Sequence, residues 1–264
     1  MSPSSEDPIT LVVIHEPRPH LSKHVFNSKC RALADAIMAL PVCQMNFLKY
    51  DYIFQTSSLD ANLGSFGFPE SRPRVLTIKK CETPEHWEEV RRNPEFKRLI
   101  GEKWGSCHTF FANVVKQVNT PATGDSVFIF SILKAPARHS PEEFSSRLKE
   151  IVDRGVALPI SQKIYVKHLI LFPSNIDLDL QNANHMLRAL GLSAFGRPRR
   201  RSQCKQTAVT HFTPYSQFAC AQSREDFVEL LDDPALKQWG REAMPQVEYH
   251  VSGVSFLAGV DSRV

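Results

Sequence analysis

Ala39-Leu40-Pro41 recurs as Ala157-Leu158-Pro159, and this repeated tripeptide decides the fold predicted for the chain. When the sequence is shifted by 118 residues, its first part aligns with its middle without a gap. Identical pairs outside the tripeptide include Ile14 with Ile132, Ser22 with Ser140, Phe26 with Phe144, Asp35 with Asp153, Gln44 with Gln162, Lys49 with Lys167, and Phe54 with Phe172. Self-similarity over this length indicates an internal repeat.

The alignment continues beyond Phe54 with a larger offset of 140 residues. Identical pairs there include Glu85 with Glu225, Glu89 with Glu229, Pro94 with Pro234, and Lys97 with Lys237. The second copy is therefore longer by 140 − 118 = 22 residues. The pattern predicts repeats at residues 1–120 and 121–264, with an insertion near residues 174–206. We expect the insertion to be a polar excursion with Met186–Leu192 on a short helix.

Each copy is predicted to contain the same series of strands and helices. The first strand is Thr10–His15, and the second strands are Asn46–Phe54 and Ile164–Phe172. The third strands are predicted at about Val75–Ile78 and Val209–Phe212, and the closing strands at about Thr109–Val115 and Val247–Phe256. One helix lies between the first two strands and another between the last two. This β-α-β-β-α-β order is the ferredoxin-like unit, so the fold class is α+β.

Helix ends carry distinct signals in both copies. Ser140-Pro141-Glu142-Glu143 combines a capping serine, a proline at the first helical position and a glutamate that can reach back to the cap. Pro41 and Pro159 are expected just after the first helix of each copy. Because each predicted sheet has an apolar face that its own helices leave uncovered, the two sheets should pair as a fused dimeric α/β barrel.

Composition excludes several classes of function. The chain has 264 residues and a formal net charge of +4, which is mild for a nucleic-acid-binding protein. Met1–Pro8 is polar and no apolar run approaches the ~20 residues of a membrane helix, so neither a signal peptide nor a membrane span is predicted. The six cysteines show no paired CxxC spacing, which favours reduced thiols and a cytoplasmic protein.

Two short segments resemble a known superfamily. Asn93-Pro94-Glu95-Phe96 and Asp233-Pro234-Ala235-Leu236 are similar to a proline-containing segment near the last helix of dimeric α/β barrel proteins, and of their EthD-like group in particular. The resemblance implies a cyclase, isomerase, small monooxygenase or haem-degrading enzyme. Some cyclases of the superfamily carry a histidine base near this segment, where this chain has Phe96 and Leu236. That mechanism is therefore not transferred.

Candidate site residues are polar side chains on otherwise apolar strands. His15 corresponds to Leu133 in the second copy, Tyr50 to His168, and Tyr52 to Ile170. The full candidate set is His15, Tyr50, Tyr52, His168, His211 and His250. A histidine can transfer a proton near neutral pH and a tyrosine can hydrogen-bond an enolate. Each could also be a structural residue. His20 and His24 lack an evident third ligand, so no metal is expected.

The sequence leads to three hypotheses about function. The first is an enzyme of secondary metabolism that needs no cofactor and acts on a small apolar, polyketide- or terpenoid-like substrate. It would cyclise, dehydrate or isomerise that substrate by proton transfer, with a site that differs between the halves. The second is a small oxygenase of the same fold, and the third is a non-catalytic ligand-binding protein. Because one chain supplies both sheets, we expect a monomer that imitates a homodimer.

Overall fold

Strands and helices alternate through both halves of the chain. The computed structural model describes residues 8–18, 20–65, 73–101, 105–119, 127–136, 138–174, 214–247 and 254–262. The first half contains β1 (Ile9–Pro17), α1 (Lys23–Met38), α2 (Pro41–Asn46), β2 (Lys49–Gln55), α3 (Asp60–Ser65), β3 (Val75–Cys81), α4 (Pro84–Arg92), α5 (Pro94–Ile100) and β4 (Gly105–Asn119).

The second half repeats most of these elements. It contains β5 (Val127–Lys134), α6 (Pro141–Val156), α7 (Pro159–Ile164), β6 (Lys167–Pro173), β7 (Pro214–Ala221), α8 (Arg224–Asp232), α9 (Pro234–Ala243), a 3₁₀ turn (Met244–Val247) and β8 (Val254–Ser262). Helices α1 and α6 differ by 118 in both bounds, and α4 and α8 by 140. The offsets found in the sequence thus relate the positions of the helices.

The eight strands found in the described residues form one closed antiparallel barrel. Within the first half the strand order is β4-β1-β3-β2, and within the second it is β8-β5-β7-β6. The pairs β2–β8 and β4–β6 join the two sheets and close the barrel. The α+β class is therefore confirmed, with both halves contributing to one continuous sheet.

The two faces of the sheet have separate hydrophobic cores. Because side chains alternate along a strand, one set points into the barrel and the other points to the helices. The centre of the barrel interior is apolar and draws residues from both halves, including Ile14, Ile53, Phe130 and Phe218. On the outside, α1 packs on the first sheet through Phe26, Cys30, Ala34 and Ile37. Helix α6 packs on the second sheet through the equivalent stripe.

The second strands begin later than predicted. They start at Lys49 and Lys167, because the preceding residues form the short helices α2 and α7. Pro41 and Pro159 are the first residues of those helices, where a proline costs no helical hydrogen bond. The prediction placed each proline after the end of a helix. It did not include the short helix that each proline begins.

The third and closing strands also differ from their predicted bounds. Strand β3 continues to Cys81, beyond the predicted end at Ile78, and β7 lies at Pro214–Ala221. Strand β4 extends from Gly105 to Asn119, and β8 lies at Val254–Ser262. Strand ends were underestimated because lysines at Lys79 and Lys80 interrupt the apolar pattern while cross-strand pairing continues.

Several predicted features lie outside the described residues. These are His211, His250, the predicted strand Val209–Phe212, and the insertion beyond residue 174 with its segment Met186–Leu192. In the described parts of the chain, every helix is too short or too polar to cross a membrane.

Candidate functional site

A polar cluster lies between the first sheet and its helices. It contains His15 on β1, Tyr50 and Tyr52 on β2, and Thr77 and Lys79 on β3. Strand register brings them together, because Tyr50 pairs with Lys79, and Tyr52 pairs with Thr77. All five belong to the helix-facing set of side chains. The structure thus places three of the predicted site residues on one face and adds two that were not predicted.

The two tyrosines form a buried hydroxyl pair. Their oxygens lie 2.8 Å apart, and their rings meet edge to face with centroids separated by 5.1 Å. Each residue is 1% exposed. Burial, followed by the neighbouring Tyr52, raises the pKa of Tyr50 well above its ordinary value. Tyr50 is therefore a neutral phenol, a hydrogen-bond partner rather than a base.

Lys79 lies in an aromatic box formed by Phe47, Tyr50, Trp87 and Phe96. The ammonium nitrogen is 5.9, 5.1, 5.6 and 5.6 Å from the four ring centroids, respectively. The residue is 5% exposed. Aromatic faces at this distance attract a cation, and they partly offset the cost of removing it from water. A buried positive charge thus lies directly beside the tyrosine pair.

Helix caps position two walls of the aromatic box. Asn93 caps α5 by accepting a hydrogen bond from the Phe96 amide at 3.0 Å, and Pro94 is the first helical residue. Phe96 packs edge to face against Trp87 of α4, with centroids 5.9 Å apart. The Asn93-Pro94-Glu95-Phe96 segment therefore turns the chain between two helices and places an aromatic ring over Lys79.

His15 lies at the end of this cluster. Its Nε2 atom is 3.4 Å from Thr77 Oγ1. Burial, and then the charge of Lys79, lowers the pKa of His15 to about 3. The imidazole is therefore neutral near pH 7 and is a weak base in the resting protein. A negative charge forming nearby would raise this pKa by favouring the imidazolium.

The buried cysteines of the first half are not activated thiols. Cys30, Cys43 and Cys81 all lie in the helix-facing core. Burial is the main cause that raises their pKa values, to about 12, 11 and 12, respectively. Because the thiolate is the reactive form, these side chains act as small core residues.

The equivalent face of the second half is less polar. Lys79, Tyr52 and His15 correspond to Ala219, Ile170 and Leu133. Tyr50 corresponds to His168, which is fully buried and 2.9 Å from the amide nitrogen of Gln217. These substitutions remove the cation and the hydroxyl pair, so the two halves present different chemistry.

His168 has a buried ring nitrogen, Nδ1, that makes no hydrogen bond with the described residues. The Gln217 amide donates to Nε2, so the neutral ring holds its proton on Nδ1. Among the described residues, Nδ1 has no hydrogen-bond partner. Burial lowers the pKa of His168 to about 4, although Asp153 opposes the shift. This histidine is neutral near pH 7, like His15.

Sequence reasoning missed Lys79, Thr77 and Gln217. The predicted third strand stopped at Ile78, which left Lys79 in a loop. Extending the strand by alternation places Lys79 on the same face as Val75, Thr77 and Cys81, so the signal was present. Gln217 was missed because the predicted strand ended before it. In the described ranges, no group of three or more His, Cys, Asp or Glu could hold a metal ion.

Comparison with known proteins identifies the fold of the chain but not its activity. No protein-family model matches the chain, and no curated protein matches it. Among solved structures, an anthrone oxidase-like protein superposes with a TM-score of 0.57 at 12% identity, covering 98% of this chain and 94% of that one. A proposed monooxygenase of Fusobacterium nucleatum subsp. nucleatum gives 0.50 at 9%, covering 97% and 94%. The chain therefore has the dimeric α/β barrel fold.

Proposed function

We propose that this chain is a small enzyme that binds an apolar organic substrate in the first half and stabilises an enolate or phenolate anion formed from it. The observation that supports this proposal is Lys79, a buried cation beside the Tyr50–Tyr52 hydroxyl pair. A cation and a phenolic donor in a water-poor environment favour a negative oxygen far more than water does.

The proton of the substrate requires an acceptor within the cluster. His15 is neutral in the resting protein and is close enough to Lys79 for that charge to lower its pKa. As the anion forms, its charge offsets that of Lys79 and raises the pKa of His15. The substrate C–H bond breaks, its electron pair stays on the substrate as the enolate, and His15 takes the proton.

The following step defines the type of reaction. Return of the proton to another carbon isomerises the substrate, and attack of the enolate carbon on an internal carbonyl cyclises it. Loss of water after such a ring closure completes a dehydration. Each route uses the residues of the polar cluster and requires no cofactor. A polyketide-like substrate, rich in acidic C–H bonds between carbonyls, suits this chemistry.

A second candidate function is an oxygenase without a cofactor. It is favoured by the solved structures of the fold, one anthrone oxidase-like and one a proposed monooxygenase. The same anion would then pass electrons to O₂. In the balanced reaction, a methylene carbon and O₂ give a ketone and water, R₂CH₂ + O₂ → R₂C=O + H₂O. Both candidates share the first step, formation of the anion.

Hydrogen exchange in D₂O tests the shared step directly. A panel of enolisable aromatic ketones is incubated with the protein, and NMR follows loss of the acidic C–H signal. We expect the protein to accelerate exchange for some members, and Lys79→Met to slow it by about 100-fold, the typical effect of removing one anion-stabilising group. Tyr50→Phe should slow it as well.

A matched control shows whether an effect of Lys79→Met comes from the candidate site or from the loss of any one lysine charge. Lys29 is exposed on α1, and Lys29→Met should leave exchange unchanged. Oxygen consumption with the same ketones separates the candidates, because only the oxygenase takes up O₂. Binding of a ketone without any exchange would contradict the enzyme proposal and identify a ligand-binding protein.

We also infer that the two halves arose by tandem duplication of one ferredoxin-like unit, as in a fused relative of the EthD-like group. The offsets of 118 and 140 residues, the shared strand order and the equivalent helices support this inference. Under this view the repeats at 1–120 and 121–264 correspond to the two subunits of a dimeric barrel. The second half then exchanged its polar cluster for an apolar core.

A further inference from the structure

Four lysines gather at one end of the barrel. They are Lys49 on β2, Lys80 on β3, Lys116 on β4 and Lys167 on β6. The end in question contains the first residues of β2 and β6 and the last residues of β3 and β4. Antiparallel pairing brings those termini together, and Lys49 pairs directly with Lys80. We call this group the lysine mouth.

The lysine side chains face the barrel interior. Lys80 lies two residues beyond Ile78, and Lys167 lies two residues before Leu169, in strands whose side chains alternate between faces. Both apolar residues pack against the core inside the barrel. The lysines therefore form a layer at the end of the barrel, next to the apolar side chains that fill its centre. Lys80 and Lys167 are half-buried, and Lys116 is exposed at the rim.

Positive charge exceeds negative charge at the lysine mouth. Asp51 forms an ion pair with Lys49 and accepts a hydrogen bond from Ser262 at 2.7 Å. In the described part of the chain, it is the only carboxylate whose charge affects Lys80 and Lys167. Among the described residues, one carboxylate thus faces four ammonium groups, an excess of three positive charges.

The lysines affect one another electrostatically. Burial, and then the charges of Lys49, Lys116 and Lys167, lowers the pKa of Lys80. Burial and then Lys49 likewise lower the pKa of Lys167, and Lys116 adds to the effect. Like charges that share a partly buried space repel each other, so this arrangement costs folding free energy. A bound anion would offset that cost.

We propose that the lysine mouth is a binding site for a polyvalent phosphate group. Lysine ammonium groups bind phosphate as point charges, and several of them at one end of the barrel suit a compact, multiply charged anion. The cluster is confined to the end of one barrel, unlike the extended basic surface that a nucleic acid requires. It lies on the opposite face of the sheet from the polar cluster of the first half.

Calorimetric titration of the full chain tests the proposal. The probes are inorganic pyrophosphate and ADP, with sodium chloride at matched ionic strength as the reference. We expect both phosphates to bind. Equal affinities would identify the phosphate alone as the recognised group, and tighter ADP binding would indicate an organic phosphate. Lys167→Met and Lys80→Met should each weaken binding by about tenfold or more, equivalent to ~1.4 kcal/mol.

Thermal unfolding gives a second, independent measurement. Without an anion, Lys167→Met should raise the melting temperature, since it removes repulsion from the lysine mouth. With pyrophosphate, the wild type should gain more than the variant. The exposed Lys29→Met is the matched control and should behave as the wild type in both measurements. Failure of pyrophosphate to bind, or equal weakening by Lys29→Met, would overturn the proposal.

Discussion

At the scale of single residues, Lys79 has the strongest influence on the candidate site. Its ammonium group is buried among four aromatic rings, and its charge acts on His15 and on the neighbouring thiols. The Lys79 side chain lies on the helix-facing side of the sheet because β3 continues to Cys81. The charge of Lys79 thus adds to the effect of burial on the pKa of His15 and opposes the effect of burial on the pKa of Cys43.

Replacing Lys79 with methionine should change the titration of His15. Lys79 is the second cause of the low pKa of His15, after burial. In Lys79→Met the pKa of His15 should therefore rise, yet stay below its ordinary value because the imidazole remains buried. NMR of the histidine C–H signal against pH measures the shift. An unchanged titration would show that the two residues do not interact.

His168 should make the stability of the protein depend on pH. Its pKa is about 4 when folded and 6.5 when unfolded, so the unfolded chain binds a proton at higher pH. Its contribution to the free energy of unfolding is complete above pH 6.5 and is lost between about pH 6.5 and 4. The total loss is roughly 3 kcal/mol, from ~1.4 kcal/mol per pH unit.

A glutamine at this position cannot titrate and provides the comparison. Urea unfolding of wild type and His168→Gln at several pH values should show a smaller acid-induced loss in the variant. Parallel curves for the two proteins would contradict the prediction.

At the scale of elements, the two equivalent helices α1 and α6 differ in their caps. Ser140 and Glu143 form a complete capping box, as predicted, with hydrogen bonds of 3.1 and 2.9 Å. Ser22 caps α1 by a single bond of 3.3 Å from the Val25 amide. The same position in the two halves therefore stabilises its helix to different extents.

Alanine substitutions at the two caps should reveal this difference. Ser140→Ala should lower the free energy of unfolding by about 1 kcal/mol, and Ser22→Ala by roughly half as much. Urea denaturation gives both values, and each variant is the control for the other. A larger effect at Ser22 would contradict the assigned geometry.

The contact between α6 and α9 depends on a glycine. A Cβ atom at Gly155 would lie 2.7 and 2.8 Å from ring carbons of Trp239, whose indole N–H donates to the Ile151 carbonyl at 3.1 Å. Although alanine favours a helix by about 1 kcal/mol, this overlap should cost about 1–3 kcal/mol. Gly155→Ala should therefore destabilise the protein.

Replacing the Trp239 indole with a smaller ring should remove the steric cost of Gly155→Ala. In a Trp239→Phe background the colliding atoms are absent, and Gly155→Ala should be neutral or stabilising. A double-mutant cycle by chemical denaturation measures the coupling. Additive effects of the two changes would show that the contact does not control the packing.

At the scale of the whole molecule, each of the eight described strands has a neighbour on both sides, so the described barrel has no edge strand. Both junctions between the halves, β2–β8 and β4–β6, are made within one chain. Paired strands have no free backbone groups for a second copy. We expect light scattering after gel filtration to give the monomer mass of 29.9 kDa. A stable dimer would show that another surface mediates association.

The sequence by itself determined the β-α-β-β-α-β order of each half and the matching positions of the helices. These follow from local signals: the Ala-Leu-Pro repeat, the Ser140 cap and the helical spacing of Phe144, Leu148 and Ile151. Tyr50 and Tyr52 were also identified as candidates, because alternation alone places them together on one face.

Only the tertiary structure decided the environments of the charged residues. Lys79 and Lys80 are adjacent in sequence, yet one lies among aromatic rings under the helices and the other points into the barrel mouth. Local patterns assign lysine to solvent, whereas its burial depends on rings and strands that are distant in sequence. The low pKa values of His15 and His168 have the same origin, because desolvation is a property of the packed molecule and not of any segment.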